Sequence, residues 1–216
     1  MVNTGILNPE KALIWRIVHR DNLPWIFANG VHCSSSAARD PHHVSIGNEE
    51  SIARRAQRVA PLGPGGTLAD YVPFYFTPFA PLLGNLLAGH GGMHRHDAAN
   101  IVMLVSSLRK VHALGLKVLF TDRHAGLALA RYFDDPAQLD EIDWALLRRR
   151  DFVRDVDAPV QVEQRQAEAL VHRHVPVAAL TGVVCHSSAL RSTIEAEIAA
   201  HGIALDVRAL PSWYAP

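Results

Sequence analysis

With 216 residues, 49% hydrophobic and 19% charged, the chain is long enough to bury one sizeable core, and one domain over 1–216 is the expectation. Its 21 basic and 21 acidic side chains cancel, which argues against coating duplex nucleic acid by bulk charge but leaves room for a local contact. Two cysteines, Cys33 and Cys185, are too few for a disulfide scaffold; no apolar run reaches the roughly 20 residues of a bilayer span, and Met1 to Lys11 lacks a signal-peptide pattern. The cytoplasm is the expected compartment, with no membrane partner.

Ala12 to Val18 is apolar and reads as a strand, His19-Arg20-Asp21-Asn22 as a polar turn, and Leu23 to Gly30 as a short helix closed by glycine. His19 and Asn22 therefore meet where strand passes to helix. Residues 34–45 show no hydrophobic periodicity and predict a loop of about a dozen residues, a length usually tied to function or mobility. Asn48 then caps a helix with Glu49 and Glu50 in its first turn and Arg54, Arg55 and Arg58 near its end. That polarity complements the helix dipole, which by itself accounts for the arginines. The turn 62–67 is rich in glycine but lacks the lysine of a phosphate-binding loop.

Asp70 to Pro78 alternates, with Val72, Phe74 and Phe76 on one face and Tyr71, Pro73 and Tyr75 on the other. A proline inside a strand pattern predicts an edge position or a bulge, where a sheet borders a cleft. His90, His94 and His96 share a glycine-rich loop with neither a cysteine pair nor a helical i,i+4 pair, so no metal is expected. Ile101 to Ser106 and Lys117 to Thr121 read as strands around a short helix from Leu108 to Leu114. Leu127 to Phe133 reads as a helix stopped by Asp134-Asp135-Pro136, and Trp144 to Phe152 as a helix whose Arg148-Arg149-Arg150 face water.

Glu168 heads the apolar run Ala169-Leu170-Val171, a strand or helix start, where a carboxylate must be exposed, paired or used. Val183 to Cys185 is a late strand, Ser188 to Ala200 an amphipathic helix ended by Gly202, and Ile203 to Leu210 a last strand. Strands outnumber long helices, and the pattern is α+β rather than doubly wound.

Several segments together resemble one family: Leu13 to Leu23; Ile46-Gly47-Asn48 with Arg54-Arg55; Gly65 to Leu68 with Asp70 to Phe76; Phe120-Thr121-Asp122 with His124; Gln166-Ala167-Glu168; and Trp213-Tyr214. The family is DarT, the DNA ADP-ribosyltransferase toxins of DarT–DarG toxin–antitoxin systems, and the likeness runs from about Asn8 to Tyr214. The resemblance implies an ADP-ribosyltransferase-like fold with a split mixed β-sheet flanked by helices and an NAD cleft. It implies NAD as co-substrate, transfer of ADP-ribose to thymine in single-stranded DNA, and a DarG-like macrodomain antitoxin as partner. By the same resemblance Glu168 and Arg55 are the catalytic residues, and His19, Asn22, Gly47, Tyr71, Tyr75 and His124 line the NAD site. One departure bears on the adenosine side: relatives often carry His where this chain has Arg16. Left open are the same chemistry on guanine, RNA, protein or water, a catalytically silent nucleic-acid-binding module, and a metal hydrolase built on His90, His94 and His96.

Overall fold

The computed structural model describes residues 4–149 and 159–214. In chain order the first half holds β1 (Leu13–His19), α1 (Leu23–Asn29), β2 (Val31–His32), α2 (Glu49–Gln57), β3 (Tyr71–Tyr75), α3 (Pro81–Ala88), β4 (Ile101–Ser107) and α4 (Leu108–Ala113). The second half holds β5 (Val118–Thr121), β6 (Tyr132–Phe133), α5 (Trp144–Arg148), α6 (Pro159–Gln164), β7 (Glu168–His172), β8 (His174–Val175), β9 (Gly182–Cys185), α7 (Ser188–Ala200) and β10 (Asp206–Ala209). Among the described residues, eight strands form one sheet in the order β10-β9-β4-β1-β3-β7-β5-β6, while β2 pairs with β8 in a separate ribbon. Only β9 and β10 run parallel, so the sheet is mixed and the fold is α+β. No helix among these residues is long and apolar enough to cross a membrane.

β1 and β4 pair along seven residues, from Leu13↔Ser107 to His19↔Ile101. Their near-continuous apolar character fits strands covered on both faces. On α7, Ser187 caps the N-terminus, and Leu190, Ile194 and Ile198 form the buried stripe at four-residue spacing. The last strand begins at Asp206 rather than Ile203, because the Ile203 N–H is taken by the Ile198 carbonyl in closing α7.

β3 is the feature that positions everything else. It pairs with β7 over all five residues, but with β1 only at Trp15↔Tyr75. Pro73 is therefore not on an outer edge: the strand is interior in the sheet order and borders an opening within it. The Pro73 carbonyl points into that opening and accepts a bond from Arg16 Nη1 at 2.9 Å. Carbonyl and N–H of one strand residue face the same side, so the hydrogen that proline lacks would also have pointed into the gap, and no ladder bond is lost. The sheet is split there into β10-β9-β4-β1 and β3-β7-β5-β6.

Residues 127–133 do not form the expected helix. Tyr132 and Phe133 pair with Thr121 and Phe120 as β6, because Asp122 accepts the Arg131 N–H at 3.0 Å and draws the segment back as a hairpin. Leu129, one of the apolar residues behind that expectation, is 76% exposed. Helix α5 ends at Arg148; Arg148 and Arg149 are exposed as expected, and Arg150 and Phe152 lie outside the described residues.

Candidate active site

Glu168 opens β7 opposite Tyr75, at the split, and is 1% exposed. A carboxylate buried so deeply needs partners, and it has two. Arg55 Nη1 donates to Oε2 at 2.9 Å and approaches Oε1 at 3.3 Å; the Ala125 N–H donates to Oε1 at 2.9 Å. Nε2 of His124 stands 3.9 Å from Oε1. Behind the strand, the Thr121 hydroxyl accepts the Glu168 N–H at 3.2 Å and donates to the Arg123 carbonyl at 2.6 Å. The β5–β7 ladder stops at Phe120↔Ala169, so this side chain takes over where backbone pairing ends.

Arg55 arrives on α2, whose start is fixed by Asn48. Its Oδ1 accepts the Ser51 N–H at 2.8 Å, and its amide nitrogen donates to the Gly91 carbonyl at 2.9 Å, tying the helix to the turn across the cavity. The three arginines of this segment take different partners. Arg54 pairs with Glu50 at the surface, Arg58 donates to the Leu127 carbonyl, and Arg55 reaches inward to Glu168. Helix polarity explains the first; the third is an ion pair across 113 residues of sequence.

These groups line a cavity of about 650 Å³, inside the range of roughly 300–1,000 Å³ typical of ligand pockets. Asn22, Gly47, Arg55, Tyr71, Tyr75, His124 and Glu168 all face it. Asn22 exchanges two hydrogen bonds with the Val44 backbone, at 2.8 and 2.9 Å, and so anchors the end of the long loop. Gly47 packs closely against Ile52, since a methyl group on its Cα would stand 3.0 Å from Ile52 Cδ1. Tyr71 donates to the Gly65 carbonyl at 2.9 Å. Burial, with the Glu168 carboxylate beside it, pushes the Tyr75 phenol far above its usual pKa, so it stays protonated. His19 is outside the cavity lining: its Nδ1 accepts the Asp21 N–H at 3.3 Å and its ring meets His96 edge-on, which makes it a cap for the turn after β1.

Arg16 belongs to the site as well. Burial first, then the neighbouring Arg55 charge, lowers its pKa to about 10, so it remains cationic at neutral pH. Two guanidinium nitrogens here, Arg16 Nε and Arg55 Nη2, are buried without a protein partner. Such groups are rare enough to mark a functional position. Among the described residues no group of three or more His, Cys, Asp or Glu side chains is placed to hold a metal ion.

A split mixed sheet with a buried carboxylate–guanidinium pair at the head of its cleft defines an ADP-ribosyltransferase-like fold. The family described as "ssDNA thymidine ADP-ribosyltransferase, DarT" matches residues 15–215, and the chain belongs to that family. A DNA ADP-ribosyl transferase of Escherichia coli O127:H6 is 47% identical over 208 residues, covering 96% of this chain and 95% of that protein. The structure of Thermus sp. 2.9 DarT in complex with ADP-ribosylated ssDNA superposes with a TM-score of 0.88 at 30% identity, covering 96% of this chain and 98% of that one. The same Thermus protein in complex with NAD+ gives 0.84 at 30% identity, covering 96% and 99%.

Proposed function

We propose that this chain cleaves the bond between nicotinamide and ribose in NAD and joins the freed anomeric carbon to a ring nitrogen of thymine in single-stranded DNA, with Glu168 and Arg55 as the catalytic pair. The products are nicotinamide, ADP-ribosylated DNA and the proton that the thymine nitrogen gives up. The observation that carries the assignment of roles is the buried Glu168, held between the Arg55 guanidinium and the Ala125 N–H at the floor of the cavity.

Departure of nicotinamide leaves an oxocarbenium-like sugar, the charge problem that glycosidases also meet. A carboxylate fixed beforehand stabilises that cation more than it stabilises the neutral sugar, so its contribution falls on the chemical step. The thymine nitrogen attacks well only after deprotonation, and the negative charge then spreads onto its carbonyl oxygens. Arg55, permanently cationic and with Nη2 unpartnered, is suited to receive that charge. Arg16 and Arg55 place two guanidinium groups beside the Glu168 carboxylate in the cavity, each with a buried nitrogen free of protein partners and suited to the NAD pyrophosphate. The proposal extends to the cell: the chain acts in the cytoplasm as the toxin of a toxin–antitoxin pair, its product blocks DNA replication, and a DarG-like macrodomain is its antitoxin.

Intact-mass analysis of short single strands with and without thymine, incubated with NAD and wild-type or Glu168→Ala protein, tests the reading. An ADP-ribose adduct is expected only on thymine-containing strands and only with the wild type. Modification of thymine-free strands would overturn the acceptor, and transfer by the Glu168→Ala protein would overturn the role of the carboxylate.

A further inference from the structure

Glu168 is also held by the neighbouring β5–β6 hairpin, residues 121–132, and two of the holding side chains lie beyond the pair that does the chemistry. Thr121 fixes the Glu168 backbone. The Ala125 N–H fixes carboxylate atom Oε1. The carbonyl of the same Ala125 accepts the Tyr132 hydroxyl at 2.5 Å, and Tyr132 is anchored opposite Thr121 in the β5–β6 register. Burial raises the Tyr132 pKa, although the Arg58 guanidinium opposes that rise, so the hydroxyl remains a donor. Arg58 also holds the Leu127 carbonyl, and Asp122 ties Arg123 to Arg131 on either side of the turn. The path from phenol to carboxylate is thus Tyr132 Oη, Ala125 carbonyl, Ala125 N–H, Glu168 Oε1, with every link a hydrogen bond or one residue of backbone.

We infer that Thr121 and Tyr132 are positioning residues for the transfer reaction, fixing the backbone and the carboxylate of Glu168 so that the Oε1–Oε2 edge is pre-set for the developing sugar cation. The inference rests on the proposed role of Glu168 and assigns how that role is sustained. A carboxylate at the end of a five-residue strand whose ladder to β5 has just stopped is less constrained on that side, and misplacement of a preorganised charge costs rate rather than substrate affinity.

The test compares wild type, Tyr132→Phe, Thr121→Val and Thr121→Ser by steady-state transfer to a thymine-containing oligonucleotide at saturating DNA, with thermal unfolding of each protein. Tyr132→Phe and Thr121→Val are expected to lower kcat about tenfold each, with the KM for NAD unchanged within about twofold, while Thr121→Ser, which keeps the hydroxyl, restores the wild-type rate. Wild-type kcat in folded Tyr132→Phe and Thr121→Val proteins would overturn the inference. So would a KM that rises in step with a falling unfolding midpoint, the signature of a general structural role. Absence of transfer by the wild type itself would instead overturn the underlying function, and the inference with it.

Discussion

Glu168 and Arg55 hold each other in place before any substrate arrives, so each substitution removes one charged group and also strands its partner. Glu168→Gln keeps the shape but puts an amide where a carboxylate accepted from Arg55 and from Ala125. Transfer is expected to fall by at least about 10²-fold in kcat, while NAD affinity measured by calorimetry changes only a few-fold. A parallel loss of NAD affinity would mean that the carboxylate serves ground-state binding. Arg55→Ala removes the guanidinium hydrogen-bonded to a buried carboxylate, and breaking one partner of a buried ion pair costs about 3–5 kcal/mol in comparable cases. Chemical denaturation should therefore register Arg55→Ala more strongly than Arg54→Ala, whose guanidinium sits in a surface pair with Glu50.

Helix α2 delivers Arg55 yet buries none of its own residues. What holds it is the Asn48 cap, the Glu50–Arg54 pair and the Arg55–Glu168 bond, so it belongs among the locally least stable elements. Its amides are expected to exchange with deuterium faster than those of β1 and β4. Asn48→Ala, by removing a cap worth about 1 kcal/mol, should speed α2 exchange about fivefold with little change in the global unfolding midpoint. Equal protection of α2 and β1 would contradict this. The helix itself was readable from Asn48, its acidic first turn and its basic end, because capping is local chemistry. The destination of Arg55 was not, because nothing within nine residues distinguishes it from Arg54. Only the family resemblance singled it out. Likewise Pro73 announced a cleft through its missing N–H, but its place inside the sheet depends on Arg16 of β1, 57 residues away, and on pairing with Leu170 of β7. The 127–133 segment misled because its apolar residues fit a helix as well as a hairpin, and the deciding contact, Asp122 to the Arg131 N–H, is tertiary.

For the molecule as a whole, the perturbed histidines and aspartates point one way with acidification. His19, His43 and His172 have pKa values lowered chiefly by burial, so the unfolded chain binds their protons more readily than the native one does. Asp70 is held below the usual carboxylate range by hydrogen bonds from Ser35 and Thr67; for Asp122, burial acts upward but is outweighed by Arg123 and Arg131. In both sets the native pKa is depressed, so stability is fully present above the unfolded value and is lost as pH falls through the folded one. The unfolding midpoint should decline on acidification below about pH 6.5, as the histidines are claimed by the unfolded state, and decline again below about pH 4 as the aspartates follow. An unfolding midpoint that rises between pH 7 and pH 5 would reverse the sign argued here.

The split between β1 and β3 also governs when Arg55 and Glu168 can meet. Each half-sheet is assembled from interleaved stretches: β1, β4, β9 and β10 on one side, β3, β5, β6 and β7 on the other. A ribosome translating this chain therefore makes neither half from a contiguous length, and the guanidinium waits through 113 residues of further synthesis for its carboxylate. Prematurely terminated chains that stop before β7 carry Arg55 without Glu168. In a cell making an enzyme aimed at DNA, the two charged groups thus meet only once β7 has been translated.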